Sequence, residues 1–126
     1  MSGSHRVTVS VKPEYLPAQS VPQHDRWLFA YTITIENHGH SAVQLLNRHW
    51  VITNGEGETD EVRGPGVVGL QPVIEPGEGF SYTSGCPLDT PVGTMHGEYE
   101  MLVVATGEHF MARIAPFRLA VPGALN

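Results

Sequence analysis

The stretch GPGVVG, Gly64 to Gly69, spells G-x-G-x-x-G. In a dinucleotide-binding protein such glycines let the backbone approach a pyrophosphate. A strand must lead in and a helix must lead out, so that backbone N–H groups and a positive dipole end meet the anion. Here DEVR precedes and LQPVIEPGEG follows, and both Pro72 and Pro76 oppose a helix. An acidic residue about 20 positions on, the ribose partner of such a fold, would be Asp89. It lies beyond CPL rather than at the end of a second parallel strand. The glycines therefore read as positive φ angles or close backbone approach in a long turn. An anion held in a nest of N–H groups stays open as the alternative, with Arg63, Gly64, Gly66 and Gly69 as its residues. The net charge of -6 and the lack of a nearby lysine weigh against it; Lys12 is the only lysine.

Other residues could do other chemistry. Seven histidines are present: His5, His24, His38, His40, His49, His96 and His109. HGH puts His38 and His40 in a turn, where two imidazoles can meet a metal. A defined site wants a third or fourth ligand, so solvated turn histidines are the simpler reading. His49 and His96 fall within strand patterns and should pack or hydrogen-bond there. Cys86 is the single cysteine, which excludes an internal disulfide and a multi-cysteine zinc site. A nucleophilic cysteine needs a cation or a helix N-terminus to lower its pKa. TSGCPLD supplies neither, so a buried, inert thiol is expected. The acids Glu56, Glu58, Asp60 and Glu61 in NGEGETDE miss the calcium-loop spacing and read as a solvated hairpin. No catalytic constellation emerges, and no cofactor is expected.

The elements that must position these residues are strands. In HRVTVSV, Val7, Val9 and Val11 alternate with Arg6, Thr8 and Ser10. In RWLFAYTITIEN, Trp27, Phe29, Tyr31, Ile33 and Ile35 share one face. A period of two with β-branched and aromatic residues means half-buried strands. GEYEMLVVAT and HFMARIAPFRLA continue the pattern, and Pro116 requires an edge or a bend in the last strand. ETDEVR, Val73-Ile74 and EGFSYTSG are shorter candidates. Tyr99 is a candidate tyrosine corner. AVQLLNRHWVITN carries apolar residues on both faces: Leu46, Arg48, Trp50 and Ile52 on one, Leu45, His49 and Val51 on the other. One of those faces could be sticky, since Arg and Trp are favoured at interface hot spots; core packing with a snorkelling Arg48 is the competing reading. Arg48, His49 and Trp50 are thus the partner-surface candidates.

Turn signals (ENHGH, NGEG, EPGEG) separate the strands, and no ten-residue segment has a 3.6 period. The expected fold is one domain over residues 1–126: an all-β, antiparallel sandwich of about seven strands with Greek-key connections. At 126 residues with 40% hydrophobic content the chain can bury a core without staples. An acidic balance of 13 Asp+Glu against 7 Lys+Arg makes it a poor partner for nucleic acid or anionic lipid. No apolar run approaches the roughly 18 residues of a membrane span, and MSGSHRVTVS lacks the apolar run of a signal peptide. A cytoplasmic protein, monomeric or weakly dimeric, is expected.

The segments RHWVITN, VRGPGVVGLQPVIEPGEGFSYTSGCPL and GTMHGEYEM together resemble the core of the ApaG family, and VTVSVKPEYLPAQS and FMARIAPFRLA extend the likeness over nearly the whole chain. The resemblance implies a single β-sandwich like a fibronectin type III domain, which makes the expected fold class all-β, immunoglobulin-like or fibronectin type III-like. It also implies an association with cobalt and magnesium efflux in bacteria and, from the domain's use in eukaryotic proteins, a protein-binding role. No settled enzymatic activity comes with it. The leading expectation is a non-enzymatic module acting through an unidentified protein partner. The rivals are phosphate or nucleotide binding at Gly64–Gly69 and direct binding of a divalent cation.

Overall fold

The period-two stretches become two antiparallel sheets in the computed structural model, which describes residues 6–124. One sheet holds β1 (Val7–Tyr15), β2 (Trp27–Asn37) and β6 (Gly79–Leu88), in the order β1-β2-β6. The other holds β3 (Val43–Asn54), β4 (Thr59–Pro65), β7 (Val92–Val103) and β8 (His109–Ala120), in the order β4-β3-β7-β8. The two-residue β5 (Val73–Ile74) also pairs with β3. Among the described residues helix is limited to two single 3-10 turns, Pro17–Gln19 and Pro22–His24. Two packed sheets joined by connections that cross between them make the sandwich expected from the turn spacing, in the fibronectin type III-like form that the resemblance implies.

The strand prolines track strand position in the sheets. Pro13, Pro65, Pro87 and Pro116 lie in β1, β4, β6 and β8, the four sheet edges, and none lies in central β2, β3 or β7. A residue without an N–H loses no ladder bond at an edge. Pro116 sits where the β7–β8 register slips: β8 places Ala115 and Pro116 opposite the single His96, so the bulge is in β8. His96 stays in β7, paired with Val51 of β3, and is exposed rather than packed.

The core lies between the sheets. Phe29, Tyr31, Ile33 and Ile35 of β2 face Leu45, Trp50, Met95, Tyr99 and Met101 of the second sheet, all buried. Trp50 is a hub: its ring meets Tyr31 at 5.3 Å, Phe117 at 5.9 Å and Tyr99 at 6.4 Å, each edge-on. Such pairs add about 0.5–1.5 kcal/mol each beyond burial. Leu45 is inside with Trp50, against the two-face reading of β3. A β-bulge between Leu45 and Asn47 inserts one residue, and the extra step flips the alternation. Tyr99 is no tyrosine corner. It lies mid-strand and fully buried, and its hydroxyl pairs with that of Tyr82 across the sandwich. Asn37 is the one buried polar side chain among the described residues. Its Nδ2 donates to the carbonyls of Ser41 and Ile74, each at 2.9 Å, and so ties the end of β2 to β5.

Candidate binding cleft

The sheets do not close along one side. The edge strands there are β4 and β6, and between them runs a cleft of about 890 Å³. Its floor is Tyr31, Trp50, Ile52, Met95, Cys86 and Leu88; its β4 wall includes Asp60 and Val62. The residues of β4 that alternate toward the interior are Asp60, Val62 and Gly64, opposite Ile52, Trp50 and Arg48 of β3. None of the three is buried, because β6 does not reach across to cover them.

Arg48 is the cation of this cleft. Its Nη1 donates to the carbonyl oxygens of Pro65 at 2.9 Å and Gly66 at 3.0 Å. The guanidinium lies directly over Gly64: a Cβ added there would stand 3.0 Å from Cζ, Nη1 and Nη2. Arg48 takes part in none of the ion pairs among the described residues. A second hollow of about 240 Å³ continues the cleft past Arg48, bounded by Tyr82, Ser84 and the turn Val67–Gly69.

The GPGVVG stretch is thus built around Arg48. It leads into β5, not into a helix. Gly66 donates to the Leu46 carbonyl, and Val67 and Leu70 bond each other in a two-residue turn. Those N–H groups are spent inside the chain, and the carbonyls of Pro65 and Gly66 face a cation. Arg63 points to the opposite face of β4, 3.3 Å from Glu61. The structure therefore does not bring Arg63 and the three glycines together as an N–H cradle. It brings Arg48 to the glycines instead, joining two stretches the sequence analysis kept apart.

The partner-surface candidates separate as well. Arg48 and Trp50 face the interior, and Trp50 forms floor rather than surface at 2% exposure. His49 lies on the outer face, with Nε2 2.8 Å from Glu61 and Nδ1 3.6 Å from Glu98. The hydrogen bond from His49 holds the Glu61 carboxyl below its ordinary value. Farther along that face, hydrogen bonds from Asn47 and then His109 do the same for Glu100. His38 meets Thr8 at 3.1 Å and Glu36 at 3.7 Å. No group of three His, Cys, Asp or Glu side chains among the described residues is arranged to hold a metal ion. His5 lies outside the described residues.

At the far end of the cleft Asn54 gathers the acids. Its Nδ2 donates to Glu58 at 2.8 Å and Asp89 at 2.9 Å, while its Oδ1 accepts from the backbone of Glu56 and Glu58. Burial pushes the Cys86 thiol up to about 11, with the Asp60 charge adding to it. The thiol therefore stays protonated at neutral pH, as an inert cysteine should. Burial likewise raises Tyr31, Tyr82 and Tyr99.

A family model described as the ApaG domain matches residues 17–103. The chain belongs to the ApaG family. A Protein ApaG from Pseudomonas entomophila (strain L48) is 55% identical, with 97% of this chain and 96% of that protein covered. A Protein ApaG from Pseudomonas aeruginosa (strain LESB58) is 57% identical over the same shares. The crystal structure described as the putative ApaA protein from Bordetella pertussis superposes with a TM-score of 0.91 at 51% identity, covering 95% of this chain and 97% of that one. The ApaG likeness thus spans both walls of the cleft. Sequence reading missed Tyr31, Ser84, Asp60 and Asp89 as cleft residues, because β4 and β6 belong to different sheets and share no ladder. The available signal was the alternation Asp60, Val62, Gly64: a strand face carrying an acid and no side chain does not pack a core.

Proposed function

We propose that this ApaG-family chain is a non-enzymatic binding module that captures a segment of a partner protein in the cleft between β4 and β6. Arg48 carries the reading. A partly desolvated guanidinium is costly to hold without a counter-charge. Two carbonyls fix it, no carboxylate meets it among the described residues, and it opens onto a cleft large enough for side chains. A ligand that brings its own anion completes the arrangement. The protonated Cys86 thiol supports a role without covalent chemistry. The proposed setting is cytoplasmic and, as the family resemblance implies, tied to cobalt and magnesium efflux, with the protein partner rather than the ion as the thing bound. Nucleic acid is disfavoured by the charge of -6.

The test blocks the cleft without touching the core. Val62 is 39% exposed on the inner side of β4, so Val62→Arg fills and recharges the opening while folding is retained. Wild-type protein cross-linked in native lysate is expected to capture a discrete partner, and Val62→Arg to lose it with an unchanged circular dichroism spectrum. Equal capture by both would overturn the reading. Saturable amide shifts with ATP or pyrophosphate at physiological salt, confined to Gly64–Gly69, would favour the phosphate alternative instead.

A further inference from the structure

We infer that the cleft reads an extended peptide bearing a carboxylate and a cation four residues apart, with an apolar side chain midway. The inference rests on the cleft being the partner site and adds the chemistry of what it takes.

The inner face of β4 presents three features in a row. At Gly64 the missing side chain admits the Arg48 guanidinium. Nη1 is committed to two carbonyls, which fixes the plane and leaves the Nη2 and Nε donors for an anion. At Val62 an isopropyl group, 39% exposed, stands opposite Trp50. At Asp60 an exposed carboxylate makes no hydrogen bond or ion pair among the described residues; its charge is felt at Cys86 across the cleft. Alternate residues of a strand recur on one face, so Asp60 and Gly64 stand roughly 13 Å apart, at about 3.3 Å per residue. A second extended chain has the same repeat. Its residues at i, i+2 and i+4 therefore fall in step with cation, apolar surface and anion.

Charge chooses the anion. A planar carboxylate matches the edge of a guanidinium and carries one charge. A polyphosphate would share the cleft with Asp60, Glu58 and Asp89, on a chain of charge -6. The same acids favour a flanking Lys or Arg. Cation and anion at opposite ends also fix the direction in which the peptide lies, since a reversed chain would set like charges together.

The probes are N-acetylated, C-amidated, glycine-flanked peptides with the core Glu-Thr-Leu-Thr-Lys or its reverse, Lys-Thr-Leu-Thr-Glu, titrated into 15N-labelled full chain. One direction is expected to give saturable shifts along Thr59–Pro65 and on the facing half of β6. Replacing its Glu by Gln should weaken binding about tenfold or more, the loss of one charge-assisted contact. Arg48→Gln can loosen the Gly64–Gly69 loop, so the decisive variant is the exposed Asp60→Lys. It should weaken the Lys-bearing peptide about tenfold and prefer a peptide with Glu at both positions. Equal affinity for the Glu and Gln peptides, or an unchanged preference in Asp60→Lys, overturns the inference. If that happens while Val62→Arg still releases the lysate partner, the cleft stands as a partner site and only its chemistry was misread. Stronger shifts of the same amides with pyrophosphate than with either peptide overturn it in favour of a phosphate ligand.

Discussion

Gly64, Gly66 and Gly69 look alike in the motif and do different work. A Cβ on Gly66 would lie 2.2 Å from the Leu70 carbonyl oxygen, at φ +61; one on Gly69, at φ +80, would meet nothing within 4 Å. Gly66→Ala is therefore expected to cost about 3 kcal/mol or more, the clash adding to backbone strain, and Gly69→Ala only about 1–2 kcal/mol. Urea denaturation of the two variants gives the ranking, and equal losses would mean the loop relaxes freely. His49 supplies a second residue-scale prediction. Its hydrogen bond is the first cause of the lowered Glu61 carboxyl, so His49→Ala should move that group's NMR titration upward. Glu100, held by Asn47 and His109 instead, should not move.

The turn at Val67–Leu70 belongs to the scale of elements. Val68 has φ 45 in a two-residue turn, a conformation suited to Gly or Asn and costly for a β-branched side chain. It is 55% exposed, so its side chain recovers little through packing. Val68→Gly should stabilise the protein by about 1 kcal/mol, read as a higher urea midpoint at unchanged m-value. A lower midpoint would show that Val68 makes contacts worth more than the strain. At β4 the inward Asp60 has a further effect, since a charge on the inner side of an edge strand discourages edge-to-edge pairing of copies. Asp60→Val should raise the tendency to self-associate, measured by sedimentation at increasing concentration.

The whole molecule should be more sensitive to alkali than to acid. Cys86, Tyr31, Tyr82 and Tyr99 all have pKa values raised by burial. A group whose folded pKa exceeds its unfolded value contributes full stability below the unfolded pKa and loses it as pH rises toward the folded one. For Cys86 that window runs from its ordinary 9.0 to about 11, and the tyrosines extend the loss from 10.0 upward. Glu61 and Glu100 are shifted the other way, so their contribution is present above the unfolded carboxylate pKa and fades as pH falls through the folded one. Glu61 is exposed and Glu100 half-buried at the surface, so solvent screens both and the acid limb should be shallow. Melting temperatures from pH 4 to 11 should fall steeply only above about pH 9. A steep drop near pH 5 would instead point to a buried carboxylate or histidine in the fold's energetics.

The strands and their kind follow from local residue patterns. Alternation in β1 and β2 is local information, because a period of two obliges a face to be buried wherever the strand sits. Prolines marked edges for the same reason: a missing N–H is a property of one residue, and Pro13, Pro65, Pro87 and Pro116 could only lie where no neighbour asks for it. That no helix follows GPGVVG was legible too, since Pro72 and Pro76 oppose one. Other features waited for the tertiary structure. The bulge after Leu45 moved a leucine to the other face of β3, because register depends on the partner strand as well as on its own pattern. The hydroxyl pair of Tyr82 and Tyr99 joins residues on opposite sheets. The cleft exists because β4 extends one sheet past the reach of β6 in the other, a matter of how two sheets overlap that no single strand encodes. Arg48 and GPGVVG each stood out alone; only the antiparallel pairing of β3 with β4 set the guanidinium over Gly64 and made them one site.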